Sequence, residues 1–485
     1  MSYLRHGRGL FWLALVGAGC SSTSSKEPAA PPDTGSEDSG TTTDAGSDGA
    51  MTGDAADAAD DGGAPTLTGP IVKLAGGARD TCAVYQNGAL ACWGGNDNGQ
   101  LGLGDTDDRG DAAHPISSLK AVDLGPEARV VEVALGQRHT CARLSSGGIK
   151  CWGSNDQGQL GTGVAGKRGD GPGEMGASLP LVDLGPGRTA TQITAGGAHT
   201  CALLDNGETK CWGRNSTGQL GLGDTQNRGA EAGQMGAQLP AVDVGAGRKA
   251  LEVRAGDSFT CARLDDASVR CWGANGEGEL GIGTSTTRGN KAADMGVNLT
   301  PVLLGTGRTA TALWVGFYMS CAKLDTGVVK CWGGNATGQL GLGDALDRGT
   351  ALNQMGDSLP AVNFGTGRTV TALALGQEFG CAQLDNDVTK CWGNSFYGQT
   401  GYGTTQRIGD GAGEMGDALA AVDLGVGRTA KALGLGGEHT CVITNDGKVR
   451  CWGSNISAQL GNGTRTAIGD GPNEMGANLA DTKLP

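Results

Sequence analysis

The chain has 485 residues, a formal charge of −14, 38% apolar and 18% charged side chains, 91 Gly and 15 Cys. Glycine at this density weakens helix interiors and excludes a large helical bundle, and no Gly-X-Y period runs through it, which excludes collagen. A pI near 4.8 argues against a partner recognised through its phosphate backbone, so no nucleic acid is expected.

Residues 1–20 read as an export signal. Arg5 and Arg8 precede the apolar run from Leu10 to Val16, and Gly17-Ala18-Gly19 leads into Cys20. The run is too short to span a bilayer. The segment resembles a bacterial lipoprotein signal, which implies lipidation of Cys20 and a place in the outer membrane or on the cell surface. Gly17 departs from the usual Leu; without lipidation, cleavage would release a secreted protein. Membrane contact is then expected only through the lipid. Residues 21–69 hold ten acidic residues and one Lys among Ser, Thr, Ala, Gly and Pro. With so few large apolar side chains this stretch is expected to remain a disordered tether. The domain from residue 70 to 485 is only mildly acidic.

That domain repeats one phrase seven times. Cysteines stand at 82/92, 141/151, 201/211, 261/271, 321/331, 381/391 and 441/451, each pair ten apart and successive pairs 60 apart after a first step of 59. Every second cysteine precedes Trp-Gly, from Trp93 to Trp452. Four short strands are read in each unit, exemplified by Leu179–Leu184, Ala190–Ile193, Thr200–Leu204 and Thr209–Trp212, with Gly-x-Gly-Arg and Asp-Asn-Gly turns. Four strands repeated radially predict an all-β, seven-bladed β-propeller. The last unit stops after a first-type strand (Leu479–Leu484), and its successor stands at the other end as Ile71–Leu74. Closure by pairing of N- and C-terminal strands is therefore expected.

Gly196-x-x-His199-Thr200-Cys201-Ala202-Leu203 followed by Trp212-Gly213-x-Asn215-x-x-Gly218-Gln219-Leu220-Gly221 resembles the regulator-of-chromosome-condensation repeat family. The resemblance covers residues 71–485 and implies a seven-bladed propeller. It fixes function weakly, since the family includes a nuclear exchange factor for a small GTPase, a plant ultraviolet receptor and a secreted β-lactamase inhibitor. An insert in each unit, such as Arg168-Gly169-Asp170 through Glu174-Met175-Gly176, and the cysteine pairs depart from the nuclear members.

Asp205-Asn206-Gly207 suits a three-residue hairpin loop ending in a left-handed Gly. That register sets Cys201 opposite Cys211 on one face, within disulfide reach. Seven such bridges are expected: Cys82–Cys92, Cys141–Cys151, Cys201–Cys211, Cys261–Cys271, Cys321–Cys331, Cys381–Cys391 and Cys441–Cys451. They suit an oxidising compartment, and the spacing does not suit zinc. Ala267 and Asp387 replace the turn Gly in two units, and Ala should strain it.

By strand alternation the Trp-Gly tryptophans face away from the cysteines and should pack between blades. Asp80, His139, His199, Phe259, Met319, Phe379 and His439 share one slot, and its apolar members argue for packing over a metal or acid–base cluster. Arg109-Gly110-Asp111 and Arg168-Gly169-Asp170 read as repeat drift rather than an integrin ligand. No metal or cofactor is expected, and calcium binding by the inserts is left open. One asymmetry stands out: outside the Trp-Gly positions, eight of ten aromatics lie between Trp314 and Tyr402. Trp314, Phe317, Tyr318, Phe396, Tyr397 and Tyr402 form the candidate binding patch. The expectation is a monomeric, exported, non-catalytic module for a protein or glycan. The alternatives are a polysaccharide-active enzyme using loop carboxylates and, by family resemblance alone, a guanine-nucleotide-exchange-like regulator.

Overall fold

The computed structural model describes residues 65–485. Cys20, the export signal and the linker up to residue 64 lie outside the described residues. Seven sheets, each of three consecutive antiparallel strands, make seven blades. Blade 1 contains β1 (Ile71–Gly76), β2 (Asp80–Tyr85) and β3 (Leu90–Gly94). Blade 2 contains β4 (Val130–Leu135), β5 (His139–Leu144) and β6 (Ile149–Gly153). Blade 3 contains β7 (Ala190–Ala195), β8 (His199–Leu204) and β9 (Thr209–Gly213). Blade 4 contains β10 (Ala250–Ala255), β11 (Phe259–Leu264) and β12 (Val269–Gly273). Blade 5 contains β13 (Ala310–Val315), β14 (Met319–Leu324) and β15 (Val329–Gly333). Blade 6 contains β16 (Val370–Leu375), β17 (Phe379–Leu384) and β18 (Thr389–Gly393). Blade 7 contains β19 (Ala430–Leu435), β20 (His439–Thr444) and β21 (Val449–Gly453).

The hairpin turn sets each blade's register. Gly207 takes φ +82°, and Leu204 N–H donates to the Glu208 carbonyl at 2.8 Å. Cys201 then stands directly opposite Cys211. All seven cysteine pairs are disulfide-bonded, with Cα atoms 4.0–4.1 Å apart.

The fourth strand of each blade is an extended segment outside the ladder. Val182 N–H donates to Ile149 O at 2.8 Å, but the neighbouring Asp183 carbonyl accepts from Gly236 of the next insert at 3.0 Å. Pro180, Pro240 and Pro360 also lack the amide that a longer ladder needs. At the C-terminus the equivalent bond runs from Thr482 N–H to Val449 O at 2.8 Å. The terminal segment thus lies on β21 of its own blade. Among the described residues the ladders join strands within each blade, and a parallel bridge between Asp111 and Gly463 links the segments that follow blade 1 and blade 7.

Blades are stitched by the Gly-Gln-Leu-Gly phrase. The Gln159 carbonyl accepts from Thr200 Oγ1 (2.9 Å) and Trp212 Nε1 (3.0 Å) of the following blade. The Gln459 carbonyl of blade 7 does the same for Thr81 (3.1 Å) and Trp93 (2.9 Å) of blade 1. The seven Trp-Gly tryptophans are fully buried, each over such a carbonyl. Blade 1 and blade 7 also share a core cluster that joins Leu74, Ala83 and Trp93 to Cys441, Ile443 and Leu484. First strands of all seven blades contribute to an axial cavity of about 240 Å³, including Gly76, Val133, Ile193, Ala255, Val315, Leu375 and Leu435. Among the described residues the helices are short 3-10 turns such as Gly176–Ser178, and none is long and apolar enough to cross a membrane.

Candidate functional site

Two sets of loops share one end of the blades. The loop after each first strand lies beside the loop after the third strand of the same blade: Gly95 N–H donates to Arg79 O, Gly334 N–H to Tyr318 O and Asn394 N–H to Glu378 O, at 2.8–2.9 Å. Near the axis the first set is tied blade to blade, as Gln137 N–H reaches Gly197 O, Asp257 N–H reaches Phe317 O and Gly437 N–H reaches Gly77 O. The side chains of these loops therefore project from a rigid, hydrogen-bonded floor.

Four of the six predicted patch aromatics sit on this face. Phe317 lines the axial cavity and a second pocket of about 250 Å³ with Arg79, Arg138, Gln377 and Glu438. Tyr318 lies 6.4 Å from it, centroid to centroid. Phe396 and Tyr397, one blade on, meet edge to face at 4.9 Å, and Phe396 is 66% exposed. Ile456 occupies the Phe396 position in blade 7 and is also exposed.

Trp314 and Tyr402 do not join them. Both pack against the core between blades 5 and 6. The Tyr402 hydroxyl donates to Ala420 O at 3.0 Å and accepts from Cys391 N–H at 3.1 Å, and burial pushes its phenol well above the usual range. Phe364 stacks edge-on against Trp392 at 5.3 Å, and Phe379 is fully buried; both are core.

The histidine slot is internal. His139, His199 and His439 have no exposed surface, and each Nε2 meets a threonine of the next blade: Thr200 at 2.9 Å, Thr260 at 2.9 Å and Thr81 at 2.7 Å. Burial pushes the three imidazoles down to about 4, 3 and 4, with His139 adding to the effect on His199. Asp80 is buried with neither oxygen hydrogen-bonded, and burial pushes its carboxyl up to about 8. One blade separates successive members, and among the described residues no three His, Cys, Asp or Glu converge to hold a metal.

The inserts spend their polar groups on backbone. Arg168 and Gly153 exchange both main-chain bonds, at 2.7 and 3.2 Å, and Glu174 Oε2 accepts from Gly169 and Gly171 N–H at 2.9 and 3.0 Å. A clamp that the sequence reading missed lies before the second cysteine. Lys150 Nζ donates to Leu124 O and Gly176 O, both at 2.8 Å, and Lys210, Lys330, Lys390 and Arg450 grip equivalent carbonyls. Recurrence of a cation immediately before Cys-Trp was the available signal.

The regulator of chromosome condensation (RCC1) repeat matches residues 87–143. The ultraviolet-B receptor UVR8 of Arabidopsis thaliana is 28% identical over 416 residues, covering 84% of this chain and 82% of UVR8. Human E3 ubiquitin-protein ligase HERC2 is 28% identical over 338 residues, which span 69% of this chain but 6% of HERC2. Yeast RCC1 (Prp20), solved bound to Kap60, superposes with a TM-score of 0.59 at 18% identity, covering 86% of this chain and 84% of that one. Human WBSCR16 gives 0.58 at 18% identity over 81% and 93%. The RCC1-like domain matches residues 127–477, and the chain belongs to that family.

Proposed function

We propose that the protein is an exported, lipid-anchored binding module that holds a protein or glycan partner on its aromatic loop face without catalysing a reaction. The observation that carries this reading is the Phe396–Tyr397 pair, with Phe396 exposed and Tyr397 half-buried, on a face whose loops are hydrogen-bonded to one another. A large apolar ring held in solvent on a rigid frame gains free energy when a partner covers it. The buried histidines support a non-catalytic role, because neutral imidazoles sealed between blades have no access to a substrate proton. Relatives of the fold bind proteins: Prp20 was solved with Kap60 and studied for binding to Gsp1p and histones. Export rests on Arg5, Arg8, the apolar run and Cys20, and the seven disulfides agree with an oxidising compartment.

Two measurements test the reading. Cys20→Ala should move the protein from the membrane fraction to the soluble fraction. A variant with Phe317, Tyr318, Phe396 and Tyr397 changed to Ala should keep its thermal midpoint and lose pull-down of the partner from intact cells. Unchanged capture would remove the aromatic face from the function.

A further inference from the structure

The aromatic face is electrically divided. In the paired loops of blades 1–3 Arg79, Arg138 and Arg214 stand with Asp97 and Asp156, whereas those of blades 4–7 carry Asp257, Glu277, Glu378 and Glu438 and no lysine or arginine. The aromatic pairs belong to the acidic half. Glu378 and Glu438 occupy the same loop position in adjacent blades, beside Phe396 and Ile456. Two arginines reach this half from the inserts, and both are engaged: Arg407 with Ala336 O, and Arg465 with Asp108, Asp111 and Ile456 O.

We infer that the occupant of this half-face is a protein segment in which lysine or arginine alternates with apolar side chains. The inference rests on the binding-module reading above and supplies the chemistry of its partner. Glu378 accepts one hydrogen bond, from Asn394 Nδ2 at 2.9 Å, which leaves its other oxygen for a donor. Burial and the neighbouring Glu378 charge push the Glu438 carboxyl up, with Arg79 opposing them. An incoming cation relieves that like-charge contact, and its aliphatic stem lies over Phe396 or Tyr397, whose ring faces attract it further. An acidic segment meets repulsion here, and a neutral sugar gains the ring surface but nothing from the carboxylates.

The test uses the full chain in detergent and a short synthetic peptide of alternating lysine and leucine, with lysine-to-glutamine and lysine-to-glutamate versions as controls and chitohexaose as a neutral glycan. The lysine peptide should bind saturably, weaken with added salt, and lose about tenfold in affinity to the Glu378→Gln/Glu438→Gln variant. Phe396→Ala/Tyr397→Ala should weaken it as well, and Arg188→Ala, beside Asp205 at the hairpin-turn end of blade 3, should leave it unchanged. Equal binding of the lysine and glutamine peptides, or an undiminished affinity in the carboxylate variant, overturns the proposal. Chitohexaose binding that is lost with Phe396→Ala overturns the basic partner while leaving the binding module intact. That module fails separately, through the cell pull-down.

Discussion

The imidazole of His439 in the last blade meets the hydroxyl of Thr81 in the first, Nε2 to Oγ1 at 2.7 Å. Thr81 gives its own proton to the Gln459 carbonyl, so it accepts from His439, which is the neutral Nε2–H tautomer. His139 and Thr200, and His199 and Thr260, repeat the arrangement between neighbouring blades. A seam between chain ends is thus built like the boundaries between consecutive blades.

These histidines give stability a pH dependence with a definite sign. Folded pKa values near 4, 3 and 4 lie below the ordinary 6.5, so unfolding takes up protons and stability falls as pH drops below 6.5. Asp80 works oppositely: held near 8 instead of 3.8, it keeps a proton that the unfolded chain releases, and stability falls as pH rises between those values. Three histidines outweigh one carboxyl on the acid side, and Asp80 prevails on the other. Urea midpoints measured from about pH 4.5 to 8.5 should peak near 6.5. Asp80→Asn should flatten the alkaline decline and steepen the acid one, where Asp80 opposes the histidines; an alkaline decline unchanged by that substitution would refute the assignment.

The turn of blade 4 stores local strain. Ala267 holds φ +59°, where a Cβ crowds the backbone and the equivalent Gly207 does not. Ala267→Gly should raise stability by about 1 kcal/mol, with the gain reduced by the extra freedom of Gly in the unfolded chain. Asp387→Gly, at φ +63°, should gain less because Asp tolerates this conformation. Urea denaturation of the two variants in parallel checks the order.

The disulfides are shielded. Their sulfurs belong to residues no more than 3% exposed, so a reductant reaches them only when a blade opens. In dithiothreitol without denaturant, mass labelling should find no free thiol among these fourteen cysteines. Raising urea should release them together with loss of tryptophan burial. Removing one bridge by Cys201→Ala/Cys211→Ala should cost about 2–3 kcal/mol, since the closed loop is short. Stepwise labelling in native buffer would show instead that single blades open alone.

Much of this was legible because the repeat supplies its own controls. Cysteine spacing and the Asp-Asn-Gly turn dictate the register, and seven Trp-Gly phrases count the blades. The fourth strand misled because Leu179–Leu184 alternates like a strand, while its carbonyls and its proline serve the inserts. Tyr402 misled for a different reason: aromatic chemistry alone does not separate an anchor for a partner from a core filler. Its slot holds Leu103, Leu222, Ile282 and Leu342 in four other units and Thr162 and Asn462 in two, a mainly apolar series that marks packing, whereas the Phe396 slot holds Asp97, Asp156, Ser216, Gly276, Ala336 and Ile456. What no pattern revealed is the burial of Asp80, since a carboxylate in a histidine slot reads equally as a site or as drift.

Gly436 shows how tightly the ring closes. A Cβ there would stand 2.1 Å from His439 Cε1 and 2.6 Å from the Gly77 carbonyl oxygen across the seam. Either His439 leaves Thr81 or blade 7 leaves blade 1, and Gly436→Ala should cost about 3 kcal/mol. Gly427→Ala is the control: nothing lies within 4 Å of the added Cβ, φ is +71°, and only the backbone conformation is strained, at about 1 kcal/mol. Gly196→Ala makes the same kind of clash, 2.3 Å from Gly256 O, but between blades that the chain itself connects. Blade 1 and blade 7 have no such connection, so the seam is the boundary free to part. Hydrogen exchange should therefore quicken at the Gly437 amide and the Trp93 indole in Gly436→Ala, and stay slow at both in Gly196→Ala. Equal acceleration in the two variants would mean that the ring loosens as a whole and that the seam is no weaker than its neighbours.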